Sequence, residues 1–180
     1  QILKYSPVFF IITDPIIFKK LKSKKKLKKT TIINSFNNVE FRKKNDITIS
    51  AIPGIAGLEP TLKMIKISKK ILIANKESVI CGWDLLKRSA KKNKSKIIPI
   101  DSEHFSILKL IENHKLKEIK KIYLTASGGP FLNYKLNKLK KVTPKEALKH
   151  PKWKMGKKIS IDSATLMNKI FEIVEAQKIF

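Results

Sequence analysis

Residues 70–75, Lys-Ile-Leu-Ile-Ala-Asn, constrain this chain more than any other stretch. Their consecutive apolar residues leave no polar face, so a strand here is covered on both sides. That is the pattern of a parallel sheet flanked by helices. Parallel strands need long crossovers, usually helical. The chain provides them. Glu77–Lys91 places Val79, Ile80, Leu85 and Leu86 at helical spacing, and Ile97–Ile100 is the next strand. Phe105–Asn113 reads as a helix, Ile119–Thr125 as a further strand, and Glu59–Ser68 as a helix opened by Pro60. Upstream, Val8–Thr13 is a strand closed by Asp14-Pro15, Ile16–Lys28 a helix, and Asp46–Ile52 a strand stopped by Pro53-Gly54. Alternating strands and helices make the class α/β with a largely parallel sheet.

Residues 127–160 break this rhythm with Gly128-Gly129-Pro130, Pro144, Pro151 and Gly156. An excursion of that length, with one short helix near Pro144–Lys149, has the character of a functional lid over about 127–158. Beyond it, Ile159–Asp162 is expected to be a short strand and Ser163–Phe180 a long helix.

The net charge of the 180-residue chain is +26, which raises a nucleic-acid reading. Against it, the basic residues are almost all lysine, with Arg42 and Arg88 the exceptions. Base-edge and phosphate-fork recognition favours arginine. The lysines are also spread over the whole length, as solvated helix ends and loops. No apolar run is long enough to span a bilayer. The single cysteine, Cys81, follows Val79 and Ile80, fits a reducing compartment and reads as a small buried hydrophobe.

In open α/β sheets ligands sit beyond the carboxyl ends of the strands. Polar residues gather there: Asn75-Lys76-Glu77, Asp101-Ser102-Glu103, Ser127-Gly128-Gly129 and Asp162-Ser163. Asp101 and Glu103, two apart, offer hard carboxylate oxygens suited to Mg²⁺ or Mn²⁺. They equally fit a helix cap with an acidic first turn. Asn168 and Glu172 share a helix face with Lys169 beside them, and Glu172 either completes a three-carboxylate site or is an ordinary surface residue. Ser127, Ser163, Asn168 and Lys169 together suit a phosphate, Asp162-Ser163 as a helix N-terminus. Lys76 either holds an anionic or carbonyl-bearing substrate or points to solvent behind an Asn75 cap. His150 and Trp153 lie in the lid, where Trp153 has no evident core to join.

Several strings occur in a definite order. They are Gly-Ile-Ala-Gly-Leu-Glu-Pro-Thr-Leu (54–62), Ala-Asn-Lys-Glu-Ser (74–78), Pro-Ile-Asp-Ser-Glu-His (99–104) and Leu-Thr-Ala-Ser-Gly-Gly-Pro-Phe (124–131). His-Pro-Lys-Trp-Lys-Met-Gly-Lys-Lys-Ile-Ser-Ile-Asp-Ser-Ala-Thr-Leu-Met-Asn-Lys (150–169) and Glu-Ile-Val-Glu-Ala (172–176) follow. Order and spacing resemble the 1-deoxy-D-xylulose 5-phosphate reductoisomerase family, strongly over residues 51–180 and more loosely over 1–50.

The resemblance implies an incomplete Rossmann-like parallel sheet, a partial NADPH-binding domain over residues 1–100, followed by part of an α/β catalytic domain over 101–180. It implies that Asp101, Glu103 and Glu172 bind Mg²⁺ or Mn²⁺, with Co²⁺ also admitted. Ser102 and Lys76 contact the hydroxyl and carbonyl region of a small phosphosugar. Ser127, Ser163, Asn168 and Lys169 hold its phosphate and His150 closes the pocket. Trp153 and Met155 lie on the lid over substrate and nicotinamide, and Asn75, Glu77 and Gly156 border NADPH. The implied reaction is a rearrangement and reduction to 2-C-methyl-D-erythritol 4-phosphate in non-mevalonate isoprenoid synthesis. The full-length form is expected to be a homodimer in the cytoplasm, or in a plastid-like stroma, with no membrane or specific nucleic-acid partner.

Two features depart from the family. Position 170 is Ile where the family usually has Gly, so a branched side chain is expected to crowd the site. No Gly-rich strand–turn–helix fingerprint for a pyrophosphate is present. In the family that element precedes the region matched here and a helical domain follows it, so the chain is expected to be an internal piece, inactive alone. Another NAD(P)-linked dehydrogenase on an α/β scaffold explains the strand ends but not the three carboxylates. A lysine-rich nucleic-acid-binding protein explains the charge alone.

Overall fold

The computed structural model describes residues 2–23, 30–38, 44–151 and 156–180. Contacts divide the chain into two compact units, Gln1–Asn45 and Asp46–Phe180. Residue 100, near which the sequence places a change of role, lies inside the second unit.

The first unit opens with a helical turn, α1 (Ile2–Tyr5), and strand β1 (Phe9–Ile11). Helix α2 (Pro15–Lys22) follows and leads to β2 (Thr31–Ile33), which pairs parallel with β1 in the register Phe10↔Ile32. Asp14 starts α2: its Oδ1 accepts from the amides of Ile16 and Ile17, both at 2.9 Å, and Pro15 has no amide to satisfy. The helix expected over 16–28 is seen to Lys22; residues 24–28 lie outside the described residues.

The second unit is built on the sheet β3 (Asn45–Ser50), β4 (Ser68–Ile73) and β5 (Lys96–Pro99), in that order. β4 and β5 are parallel, Ile71 facing Ile97. Helix α3 (Leu58–Lys66) precedes β4, and α4 (Lys76–Asn93) crosses from β4 to β5. The core lies where their apolar faces meet: Ile65 of α3, Ile71 and Ile73 of β4, and Val79, Leu86 and Ala90 of α4. Inward residues of α4 are Val79, Gly82, Leu86 and Ala90, spaced three and four apart, with Ser78 beside the first. Cys81 lies off that stripe and is exposed, so its expected burial is corrected. Its side chain points away from that of buried Val79, because a helix turns 100° per residue.

Helix α5 (Ser102–Ile111) leaves the carboxyl end of β5. The strand expected over 119–125 does not form. After a 3₁₀ turn at Leu116–Glu118 the chain runs extended past α5, and no described strand lies beside it to complete a ladder. Two short helices follow, α6 (Leu136–Leu139) and α7 (Pro144–Ala147), the latter closed by a capping box between Thr143 and Glu146.

Two further expectations are corrected at the carboxyl end. Residues 159–162 are not a strand but part of helix α8 (Lys157–Ala164). The Ile159/Ile161 alternation is too short to choose between periods. Local bonds favour the helix: Lys158 pairs with Asp162 at 2.6 Å and Ser160 Oγ donates to the carbonyl of Gly156 at 3.1 Å. The single helix expected from Ser163 is broken at Leu166, whose φ of 60° is left-handed, so α9 runs from Met167 to Ile179. Among the described residues no helix is long and apolar enough to cross a membrane.

Candidate active site

The carboxyl ends of β4 and β5 aim two turns at one place. At the end of β4, Asn75 caps α4 by accepting from the amide of Ser78 at 2.6 Å and donates its side-chain amide to the carbonyls of Ile52 and Gly54. With its backbone so tied, Lys76 is turned inward rather than to solvent. Its ammonium donates to Asn168 Oδ1 at 2.8 Å and lies 3.3 Å from Asp101 Oδ2 and 3.7 Å from Glu172 Oε1. Asn75 thus performs the capping role, while Lys76 is not the solvent-pointing lysine that such a cap allows.

At the end of β5, Asp101 occupies the N-cap of α5 without making a side-chain capping bond, which leaves its carboxylate for the cleft. Glu103 follows in the first turn. Glu172 reaches the same place from α9, with its side chain 2% exposed. Oxygens of Asp101, Glu103 and Glu172 all lie within 4.8 Å of one another. Three hard oxygen donors from a turn and a distant helix fit Mg²⁺ or Mn²⁺, which favour carboxylates and retain water or substrate ligands. The ammonium of Lys169 lies 3.0 Å from Glu103 Oε1 and against Glu172, an ion pair without hydrogen-bond geometry at Glu172 Oε2. Asn168 donates to Glu172 Oε1.

These contacts bear on the protonation of Glu103 and Lys169. Burial pushes the Glu103 carboxyl up, but hydrogen bonds from Ser102 and Lys169 outweigh it and hold it at about 2. Burial pushes the Lys169 ammonium down, and its contacts with the Glu172 and Glu103 carboxylates more than restore it, leaving it raised. Glu103 is thus held as a carboxylate and Lys169 as an ammonium, side by side in one cleft.

The cleft has a volume of about 530 Å³. Its walls include Lys76, Asp101, Ser102, Glu103, Ser127, His150, Ser163, Asn168, Lys169 and Glu172, so the catalytic, phosphate and metal positions expected from sequence converge. Ser127 Oγ and His150 Nε2 lie 3.1 Å apart on one side. Gly129 permits this wall: its φ is +63°, and a Cβ there would stand 2.9 Å from the backbone oxygen of Ser163. Ser163 lines the cleft from the last turn of α8, not from a helix N-terminus as expected. The nearby N-terminus belongs to α9, and the left-handed Leu166 turns it toward the cleft.

Of the expected cofactor positions, Asn75, Glu77 and Gly156 lie outside the lining of this cleft. Asn75 is buried and hydrogen-bonded within the chain, Glu77 pairs with Lys158 at 3.1 Å, and Gly156 starts α8. Trp153 and Met155 lie outside the described residues. Ile170 is 49% exposed and not part of the cleft wall, so the expected crowding does not arise.

Sequence reading missed two buried polar residues behind the carboxylates, His104 and Glu175. Burial, with the Asp101 charge adding to it, pushes the Glu175 carboxyl up to about 8. Their signal in the sequence was a histidine directly after Glu103 and an acid three residues past Glu172, on the inward face of an apolar helix.

Comparison with known proteins agrees over nearly the whole chain. The model of the 1-deoxy-D-xylulose 5-phosphate reductoisomerase family matches residues 1–82, and that of the same enzyme's C-terminal domain matches 97–180. A reductoisomerase of this name from Pelagibacter ubique is 52% identical over 174 residues, covering 94% of this chain and 45% of the relative. One from Thermodesulfovibrio yellowstonii is 45% identical over 183 residues, covering 100% of this chain and 48% of the relative. Among solved structures, a DOX-P reductoisomerase in complex with NADPH, fosmidomycin and magnesium superposes with a TM-score of 0.83 at 37% identity, covering 99% of this chain and 47% of that one. The Zymomonas mobilis enzyme in complex with NADPH gives 0.77 at 32% identity, covering 96% and 45%. The chain thus spans just under half the length of the relatives it matches. It belongs to the 1-deoxy-D-xylulose 5-phosphate reductoisomerase family.

Proposed function

We propose that the protein containing this chain is an NADPH- and divalent-metal-dependent reductoisomerase that converts 1-deoxy-D-xylulose 5-phosphate to 2-C-methyl-D-erythritol 4-phosphate. The observation that carries the reading is the carboxylate triad, within 4.8 Å, on a cleft that also presents Ser127, Ser163, Asn168 and Lys169. Relatives solved with NADPH and magnesium support the same cofactors here.

Asp101, Glu103 and Glu172 hold Mg²⁺ or Mn²⁺, with Co²⁺ a third choice. Such an ion supplies Lewis acidity and a template for a chelated hydroxy-ketone. Lys76 and Ser102 orient the hydroxyl and carbonyl groups of the phosphosugar, Lys76 from its place between Asp101 and Asn168. Ser127, Ser163, Asn168 and Lys169 bind the phosphate, and His150 closes that end beside Ser127. Holding both ends of the substrate converts loose encounter into a fixed geometry, the part of the barrier a binding site lowers best. The segment 127–158 acts as a lid, with Trp153 and Met155 over substrate and nicotinamide, and excludes water. Asn75, Glu77 and Gly156 border NADPH. By role, the nucleotide side ends near residue 100 and the catalytic side begins at Asp101, a division supported by family matches to 1–82 and 97–180. The full-length protein is a cytoplasmic or plastid-like stromal homodimer without a specific nucleic-acid partner.

The test is oxidation of NADPH by the full-length protein with 1-deoxy-D-xylulose 5-phosphate, with and without added metal. Turnover is expected only with metal, and Glu172→Gln is expected to abolish it. A loss smaller than about tenfold, some 1.4 kcal/mol of barrier, removes Glu172 from the metal shell. Metal-independent turnover of another substrate would point instead to a different NAD(P)-linked dehydrogenase.

A further inference from the structure

Behind the three carboxylates lies a second, deeper pair that the proposed chemistry does not use. His104 is fully buried in the first turns of α5. Its Nε2 lies 3.0 Å from the backbone oxygen of Glu172. A carbonyl only accepts, so Nε2 carries a proton and donates it. Nδ1 faces Glu175 Oε2 at 3.8 Å, beyond a hydrogen bond, and neither atom has a hydrogen-bond partner among the described residues. Glu175 is 3% exposed, three residues beyond Glu172 on the same helix. A carboxylate oxygen of Asp101 lies within 4.8 Å of both groups.

This arrangement spans the one joint on which the carboxylate triad depends. Asp101 and Glu103 come from the start of α5 and Glu172 from α9, far along the chain. His104 is fixed to α5, directly after Glu103, and reaches the backbone of Glu172 itself. Glu175 lies on the other side of the imidazole, from α9, and limits how that ring can turn. A ring bonded to the backbone of α9 on one side and flanked by Glu175 on the other spans the gap between the two helices at the height of the ligands.

We propose that His104 and Glu175 are positioning residues that set the spacing between the Asp101–Glu103 turn and Glu172, and through it the affinity for the divalent ion. Neither is a ligand. Partners behind metal ligands commonly change metal affinity ten- to a hundredfold when removed, and a site left without such support loosens even when its ligands are intact.

The inference rests on the metal reading above and is tested apart from turnover. Mn²⁺ is titrated into the full-length protein and free Mn²⁺ followed by electron paramagnetic resonance, with the thermal midpoint of each metal-free variant measured in parallel. Glu175→Gln, which can present an N–H to Nδ1, is expected to keep the dissociation constant within about threefold of the parent. Glu175→Leu and His104→Leu are expected to weaken it ten- to a hundredfold. The double leucine variant is expected to be no weaker than the worse single one, because both remove the same link. His104→Asn, a smaller polar change that withdraws the donor from Glu172, is expected to weaken binding at least tenfold and serves if a leucine variant does not fold.

Unchanged affinity in folded His104→Asn or Glu175→Leu protein overturns the proposal. So does a Glu175→Gln variant as weak as Glu175→Leu, which would make the charge itself the contribution. A second Mn²⁺ per chain, lost in Glu175→Gln, would overturn it in favour of a ligand role. A parent protein that binds no Mn²⁺ sinks the metal reading as well, whereas a binding parent with unaffected variants sinks only this inference.

Discussion

Asp101 stands where an aspartate ordinarily accepts from the first amides of a helix, yet it makes no such bond and faces Lys76 at 3.3 Å. The sequence admitted both readings, because the cap and the ligand differ only in a side-chain rotation. Glu175 carries a prediction at this same scale. Its carboxyl, ordinarily near 4.5, is pushed to about 8 by burial and by the Asp101 charge. The folded protein therefore holds a proton there that the unfolded chain releases between those values. Binding more protons in the folded state means that stability falls as pH rises through that window. Urea denaturation of metal-free protein between about pH 5 and pH 8 is expected to show this decline in the parent and a flatter profile in Glu175→Gln. Equal slopes would mean that Glu175 is already ionised in the fold.

Elements bounded by their own signals were legible. The apolar run before Asn75 became β4, and the Asn75 cap fixed the start of α4. The core they form predicts that Leu86→Ala, at a fully buried position, costs about 3 kcal/mol by chemical denaturation. Elements that depend on a neighbour were not legible. Residues 119–125 have a strand's composition, but a strand exists only beside another. Residues 159–162 alternate like a strand, and the Lys158–Asp162 pair makes them helical. The break at Leu166 had no glycine or proline to announce it; its backbone takes φ 60° within the cleft wall, where strained backbone tends to collect. The candidate site was more legible than the elements carrying it, since its residues announce themselves by chemical type rather than by period. The turn at Gly129 joins both lessons. A methyl there meets the backbone of Ser163 and Ala164, whereas at Gly128 it meets only the movable side chain of Leu132. Gly129→Ala is thus expected to cost about 2 kcal/mol and to weaken inorganic phosphate binding by calorimetry, with a smaller effect at Gly128→Ala.

At the scale of the whole chain, a charge of +26 must attract polyanions, so binding by itself identifies nothing. What separates attraction from recognition is the response to salt. Surface lysines along the sequence interact through solvent, where screening acts over roughly 10 Å at 0.1 M. Duplex DNA held through about six phosphates should lose on the order of a thousandfold in affinity between about 50 and 200 mM salt, with no preference among sequences. The cleft is different, because the side chains of Lys76 and Lys169 are 13% and 19% exposed. Charges so recessed are screened far less, and a small phosphosugar meets few of the outer lysines. Titrations of the full-length protein over that salt range are therefore expected to show DNA binding collapsing while affinity for 1-deoxy-D-xylulose 5-phosphate changes severalfold at most. If the two fall in parallel, the phosphosugar is being held by the surface field and not by the cleft. Sequence-selective DNA binding that survives at the upper salt concentration would instead make nucleic acid the partner.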